Sequence, residues 1–215
     1  VFLSYKEEGA TSAYERLTAR FPATWVKDVA GIFEAHKAAA QSVNSKMFWV
    51  VDADADILDT FEFGYIPDVY DQEVVHVWSS RNPVTGQEYG YGGVKLFNRE
   101  QVLNATSWGL DFTTGLSTRF KAMPEVSCVT RFNTDAYSTW RSAFRECVKL
   151  ALKDDAESVD RLDGWLHPVP DAFFRHDAKR GAEEGRAYAL ANRNDIEALA
   201  RINDYEWLRN RYNQQ

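Results

Sequence analysis

Cysteine is scarce in this 215-residue chain: only Cys128 and Cys147 occur. Two thiols cannot build a disulfide-stapled secreted scaffold, and both are expected as buried free thiols of a reducing compartment, Cys128 in a strand-like run and Cys147 in a helix-like one. No signal-peptide pattern is visible and no apolar run is long enough to span a bilayer, so no membrane partner is expected. Positive charge is not in excess either. The formal net charge is −7, which excludes a protein that grips nucleic acid by bulk charge and leaves only local basic contacts. Walker-loop and dinucleotide-fingerprint spacings are absent, as are internal repeats and low-complexity tracts.

What the chain does have is enough apolar material for a core: 45% hydrophobic and 14% aromatic residues place it among globular rather than disordered chains. The most informative stretch is Met47-Phe48-Trp49-Val50-Val51-Asp52-Ala53-Asp54-Ala55-Asp56. Five apolar residues read as a strand buried on both faces, running directly into carboxylates separated by alanines. A loop at the carboxyl end of such a strand is where open α/β sheets bind ligands. Asp52 and Asp54 can together hold a hard divalent cation, Mn²⁺ or Mg²⁺, that keeps other positions for water and phosphate oxygens. An acidic surface turn after a core strand would look the same.

Before this stretch, strands are expected at Val1–Tyr5 and Thr24–Val29, with helices at about Thr11–Arg20 and Ile32–Asn44. This β-α-β-α-β order predicts parallel strands with right-handed crossovers. The first two strands also end in polar residues, Tyr5 with Glu7, and Asp28, which should share the edge of Asp52 and Asp54. Leu58–Asp71 reads as loop, Val74–Ser79 and Val94–Phe97 as strands. The Tyr89-Gly90-Tyr91-Gly92-Gly93 segment between them either brings backbone close to a ligand or is a glycine-rich hairpin connection. A short helix at Arg99–Asn104, a loop at Trp108–Thr118, a strand at Glu125–Phe132 and a helix at about Ala136–Leu152 follow. Helices near Ser158–Trp165 and Ala172–Ala191 and a last one at about Asp195–Tyr212 complete the chain. The expected division is a catalytic core over 1–152 and a helical extension over 153–215.

Several of these segments together resemble the GT-A-fold, nucleotide-sugar-dependent glycosyltransferases, in particular a bacteriophage DNA-modifying group related to the base J glucosyltransferases. They are Val1–Tyr5, Ala35-His36-Lys37-Ala38-Ala39, Phe48–Asp54, Val75–Trp78 through Tyr89–Phe97, Phe132–Asp135 and Trp140–Glu146. The resemblance covers roughly Val1–Leu152. It implies a GT-A (Rossmann-like) fold, a mostly parallel central sheet with flanking helices and a helical C-terminal region. It implies transfer of a sugar from a nucleoside diphosphate sugar, with Mn²⁺ or Mg²⁺, to a hydroxymethylated pyrimidine in DNA. The expected compartment is the cytoplasm, that of an infected bacterium if the gene is a phage's.

On that reading Asp54 is the first metal ligand, and Asp52 reaches the metal or the ribose. A later histidine, His167 or His176, is the third ligand expected of this fold, unless these are surface or capping residues. Tyr5, Asp28, Lys37, Gly92 and Gly93 are the donor-binding set; Lys37 is otherwise an exposed helix lysine. The base that deprotonates the acceptor hydroxyl is Glu146, Asp135 or Asp111. Asp135 also suits a helix N-terminus and Glu146 also suits pairing with neighbouring arginines. Arg141, Arg145, Lys95 and Arg81 are expected along a local basic groove, and Trp78, Tyr89 and Tyr91 to stack on a sugar or a flipped base. His76, alternating with apolar residues, is read as structural.

Three other readings compete. One is the same enzyme with a glycan, lipid or protein acceptor. Another is a non-catalytic nucleic-acid-binding module of the same fold. The third is a haloacid-dehalogenase-like phosphatase, whose Asp-x-Asp normally ends the first strand and is followed two residues later by Thr or Val. Here two strands come first and Asp56 holds that position.

Overall fold

The computed structural model describes residues 1–90, 93–105 and 120–214. It divides into two compact units, Val1–Arg81 with Glu88–Thr130, and Asn82–Gln87 with Arg131–Gln215.

The first unit is α/β. Its strands are β1 (Phe2–Ser4), β2 (Trp25–Lys27), β3 (Met47–Asp52), β4 (Ala55–Ile57), β5 (Val75–Arg81), β6 (Glu88–Tyr89), β7 (Val94–Asn98) and β8 (Phe120–Thr130). They form one sheet in the order β2-β1-β3-β7-β5-β8-β4, with β6 on β5. The helices α1 (Ala10–Thr18) and α2 (Ile32–Gln41) are the crossovers of the parallel trio β2-β1-β3. This is the β-α-β-α-β opening that the hydrophobic pattern predicts. Beyond β3 the sheet is mixed rather than mostly parallel: β7 runs antiparallel to β3 and β5, β4 antiparallel to β8, and β5 parallel to β8.

Burial follows the strand alternation. Phe48 and Val50 enter one apolar cluster with Val75, Val77 and Phe97, while Val51 enters the other with Phe2, Trp78 and Leu96. β3 is therefore covered on both faces, as its unbroken apolar run requires. α1 turns Ala10, Ala13 and Leu17 inward, the spacing of one helical face. β4 is not legible as a strand in the sequence. It follows β3 after only Ala53 and Asp54 and owes its state to pairing with Thr130, Val129 and Cys128 of β8. β8 begins earlier than its apolar run suggests, because a register break opposite Trp78–Ser80 accommodates Pro124 inside the strand.

The second unit is helical: α4 (Ala136–Leu150), α5 (Ala156–Leu166), α6 (Arg175–Ala191), α7 (Ile196–Ala200) and α8 (Tyr205–Asn213) follow the short α3 (Arg99–Asn104) of the first unit. α4 belongs to the second unit for a packing reason. A Cβ at Gly181 would sit 2.4 Å from the Trp140 carbonyl oxygen, and one at Gly185 2.4 Å from that of Phe144. α4 and α6 thus meet backbone to side-chain-free backbone. The expected single last helix is broken, because the Asp204 carboxylate caps a new one by accepting from Glu206 N and Trp207 N. Both cysteines are buried and free. Among the described residues no helix is long and apolar enough to cross a membrane.

Candidate functional site

The parallel strands β1, β2 and β3 deliver their carboxyl ends to one edge. Leu3 is in register with Asp52, and Ser4 with Lys27. Asp28 N donates to Ser4 O at 2.8 Å and the Asp28 carboxylate accepts from Lys6 N at 2.8 Å. The Tyr5 N–H donates to the Glu7 carboxylate. Lys6 and Asp28 both hold left-handed backbone conformations, φ 57° and 58°, uncommon for residues with a Cβ and maintained here by these cross-links. Beside them opens a cleft of about 300 Å³, lined by Ser4, Lys6, Glu7, Thr11, Trp25 and Asp28. The first turn of α1 reaches it without a side-chain cap and without an acid. Past Ala10, whose N–H donates to Glu7 O at 3.3 Å, its N–H groups and the positive end of the helix dipole suit an anion, opposed by Glu7 and Glu8 at the same cleft.

Asp52 and Asp54 stand at the end of β3. The Asp52 N–H donates to Gly93 O at 2.9 Å, tying this turn to the start of β7. A Cβ on Gly93 would lie 3.1 Å from the Ala55 Cβ, so a glycine lets the two segments close. Asp52 shares a strand face with Val50, the cross-strand partner of Lys95. Lys95 Nζ accordingly lies 3.3 Å from Asp52 Oδ2, with 11% of its side chain exposed. Lys95 therefore serves this acidic turn rather than a basic groove. Burial and the neighbouring Asp52 charge push the Asp54 carboxyl up to about 7 against the pull of Lys95, and Glu7 adds to the rise. Burial also pushes the Cys128 thiol up to about 12, reinforced by both aspartates. Burial and the Lys95 charge bring His36 down to about 4. The Asp54 carboxyl is thus poised to ionise when positive charge arrives. Among the described residues no group of three or more His, Cys, Asp or Glu side chains is gathered for a metal. A cation here would draw its remaining ligands from water and substrate.

The other expected residues are placed as follows. Tyr5 is exposed at the edge, and Lys37 lies on α2 with Nζ 4.5 Å from the Phe33 ring. Trp78 and Tyr89 are only 1% and 6% exposed. Trp78 packs at 4.4 Å on Trp49 and also against Phe61 and Tyr65 of the 58–71 loop. The acid–aromatic alternation of that loop supplies the lid on this ring, so the stacking role expected of Trp78 and Tyr89 is corrected to a core role. His76 is buried, as read. Arg81 pairs with Glu88 at 2.8 Å. Tyr91, Gly92 and Asp111 lie outside the described residues.

Within the second unit, Asp135 caps α4, accepting from Ser138 N at 2.9 Å and Ser138 Oγ at 2.6 Å. Burial opposes its charge, but these bonds outweigh it and hold the carboxyl below its usual range. Glu146 is bound by Arg161 at 2.5 Å. His167 ends α5, with Nδ1 3.0 Å from Asp163 O, and is largely exposed. Arg145 donates to Ile202 O at 2.8 Å and Asn203 Oδ1 at 3.0 Å, whereas Arg141 lies over the Tyr137 and Tyr205 rings. Each of the first three therefore has a local structural task.

Reading the sequence did not assign Lys95 to the carboxylates. The available signal was a lysine inside the apolar central run Val94-Lys95-Leu96-Phe97, where a charge persists only if paired.

No protein-family model and no curated protein matches this chain. Among solved structures it is similar to the mannosyltransferase PcManGT from Pyrobaculum calidifontis in complex with GDP-Man and Mn²⁺. The likeness has 17% identity, spans 97% of this chain and 70% of that one, and has a TM-score of 0.40.

Proposed function

We propose that the protein is a glycosyltransferase of GT-A type that takes its sugar from a nucleoside diphosphate sugar. The observation that carries the reading is the edge itself. A strand buried on both faces ends in Asp52 and Asp54, beside a cleft where β1, β2 and the uncapped start of α1 meet. In this reading the cleft takes the nucleotide. Asp28 and Tyr5 border the nucleoside and the α1 N-terminus, with Lys6, faces the phosphates. Asp54, with Asp52, would hold Mn²⁺ or Mg²⁺. Such a cation, when bound, neutralises the charge that grows on the diphosphate leaving group. The raised Asp54 carboxyl beside Asp52 fits two oxygen donors whose charge a cation would compensate. Lys95 pairs with Asp52 at 3.3 Å, and Gly93 fixes the backbone of the turn.

The acceptor is proposed from the sequence resemblance: a hydroxymethylated pyrimidine in DNA. The burial of Trp78 and Tyr89 removes two of the aromatic platforms expected to stack on a flipped base. That observation favours keeping a glycan, lipid or protein acceptor as the second reading.

The test is a donor screen by mass spectrometry, with plain and hydroxymethylated DNA as acceptors, and calorimetry of nucleotide binding with and without chelator. Heavier nucleosides from hydroxymethylated DNA alone are the expected product. Nucleotide binding that chelator and Asp54→Asn both leave unchanged would remove the metal from the proposal. A heavier glycan, lipid or protein with unmodified DNA would move the acceptor to the second reading.

A further inference from the structure

The first unit holds a second cleft, of about 340 Å³, between α1 and β4. It shares no lining residue with the proposed nucleotide cleft. Its floor is apolar: Phe2, Ala13, Leu17, Val51 and Ala55 line it, and all belong to the buried cluster on the α1 face of the sheet. Both α1 and β4 contribute an alanine there, Ala13 and Ala55, so the space that larger side chains would fill stays open. The volume lies within the range of small-molecule sites, about 300–1,000 Å³.

The mouth carries the charge, from Arg16, Arg20, Asp56 and Asp59. Arg20 is committed to the fold. It donates to Leu58 O at 3.0 Å, Asp59 O at 2.8 Å and Phe61 O at 3.1 Å, and so holds the chain after β4 against the end of α1. The Asp59 carboxylate stands 3.5 Å from Arg20 with its side chain fully exposed, where water screens it. Arg16 is placed differently. Among the described residues it makes one hydrogen bond, from Nη2 to Asp56 Oδ1 at 2.9 Å. That pair is 52% and 43% exposed, and an exposed ion pair contributes little. Most of the Arg16 N–H donors remain for a further acceptor. Asp56 is the acid that opposes an incoming anion, and the two guanidinium groups together outweigh it. One guanidinium beside a retained carboxylate suits a monoanion better than a phosphate dianion.

We propose that this cleft binds a small carboxylate with an apolar body. The body lies on the floor of Phe2, Leu17 and Val51, and the carboxylate takes the planar fork of Arg16. Val51 points to the opposite face of β3 from Asp52. The site therefore lies behind the carboxylates of the β3 turn and stands whether or not they hold a cation.

The experiment is calorimetric titration of the whole chain with octanoate, butanoate, octylammonium and octyl phosphate, without donor or metal. The proteins are the wild type, Arg16→Gln and Arg16→Lys, with circular dichroism confirming their fold. Methyl resonances of Leu17, Ile57 and Val129, which line the cleft, locate the bound molecule. Octanoate should bind the wild type and shift all three methyls. Butanoate should bind at least about tenfold more weakly, because it leaves methylene groups off the floor. Octylammonium should not bind. Arg16→Gln should weaken octanoate by at least about tenfold, the loss of a charge-assisted hydrogen bond, and Arg16→Lys by less, since the charge remains. Absence of octanoate binding by the wild type, equal binding of octylammonium, tighter binding of octyl phosphate, unchanged octanoate binding by Arg16→Gln, or shifts confined to methyls outside the cleft would each overturn the proposal.

Discussion

Replacing Asp54 by asparagine in chelator-treated protein should make it more stable, and increasingly so as pH rises. The Asp54 carboxyl is raised from 3.8 to about 7, first by burial and then by Asp52. A proton held more tightly in the folded than in the unfolded state adds stability that is fully present below about pH 4. That stability is lost as pH climbs to about 7, and the loss is complete above that. At about 1.4 kcal/mol per pH unit, the rise amounts to roughly 4 kcal/mol of stability missing from the wild type at pH 8. Asparagine keeps the shape and cannot ionise. The two proteins should therefore unfold alike in urea at pH 4, and the variant should be more stable by up to about 4 kcal/mol at pH 8. In a chain of this size that corresponds to a melting temperature higher by about 8–16 °C. Added Mn²⁺ should stabilise the wild type by mass action and leave the variant unmoved. A stability difference that stays flat between pH 4 and pH 8, or a variant less stable at pH 8, would refute the argument that Asp54 is buried against a like charge.

Lys95→Met removes the cation 3.3 Å from Asp52 and should tighten Mn²⁺ binding by roughly tenfold, as one extra net negative charge close to the site would; titration followed by electron paramagnetic resonance reads this directly. Gly185→Ala gains about 1 kcal/mol of helix propensity, but it drives a Cβ to 2.4 Å from the Phe144 carbonyl oxygen. The overlap should win by about 2–3 kcal/mol, seen as a lower urea midpoint. Burial raises both thiols, Cys128 to about 12 and Cys147 well above its ordinary value, so neither should react with a disulfide reagent at pH 8 until the protein is denatured.

Much of the first unit is legible in the sequence because its signals are local. The run Met47–Val51 is too apolar for a half-exposed strand, and the alternation of strands with amphipathic segments dictates parallel pairing through α1 and α2. The convergence of Asp28, Asp52 and Asp54 follows from that pairing alone, since parallel strands end at a common edge. A helix cap is equally local: Asp135 suits the start of α4 and is found there.

What the sequence leaves open depends on contacts distant along the chain. β4 is a three-residue strand only because β8 pairs with it. The fates of Trp78 and Tyr89 depend on what covers them; an aromatic available for stacking and an aromatic in a core have the same identity in one dimension. Lys95 becomes part of the acidic turn through an antiparallel register, which composition does not encode. Arg141 and Arg209 stand 68 positions apart in the chain and meet on one tyrosine because α8 returns to α4. Propensity and periodicity thus determined which elements form and which carboxylates end them. Tertiary packing alone decided which charges are paired and which rings are buried. Those outcomes depend on desolvation and on distances of a few ångströms between residues far apart in the chain.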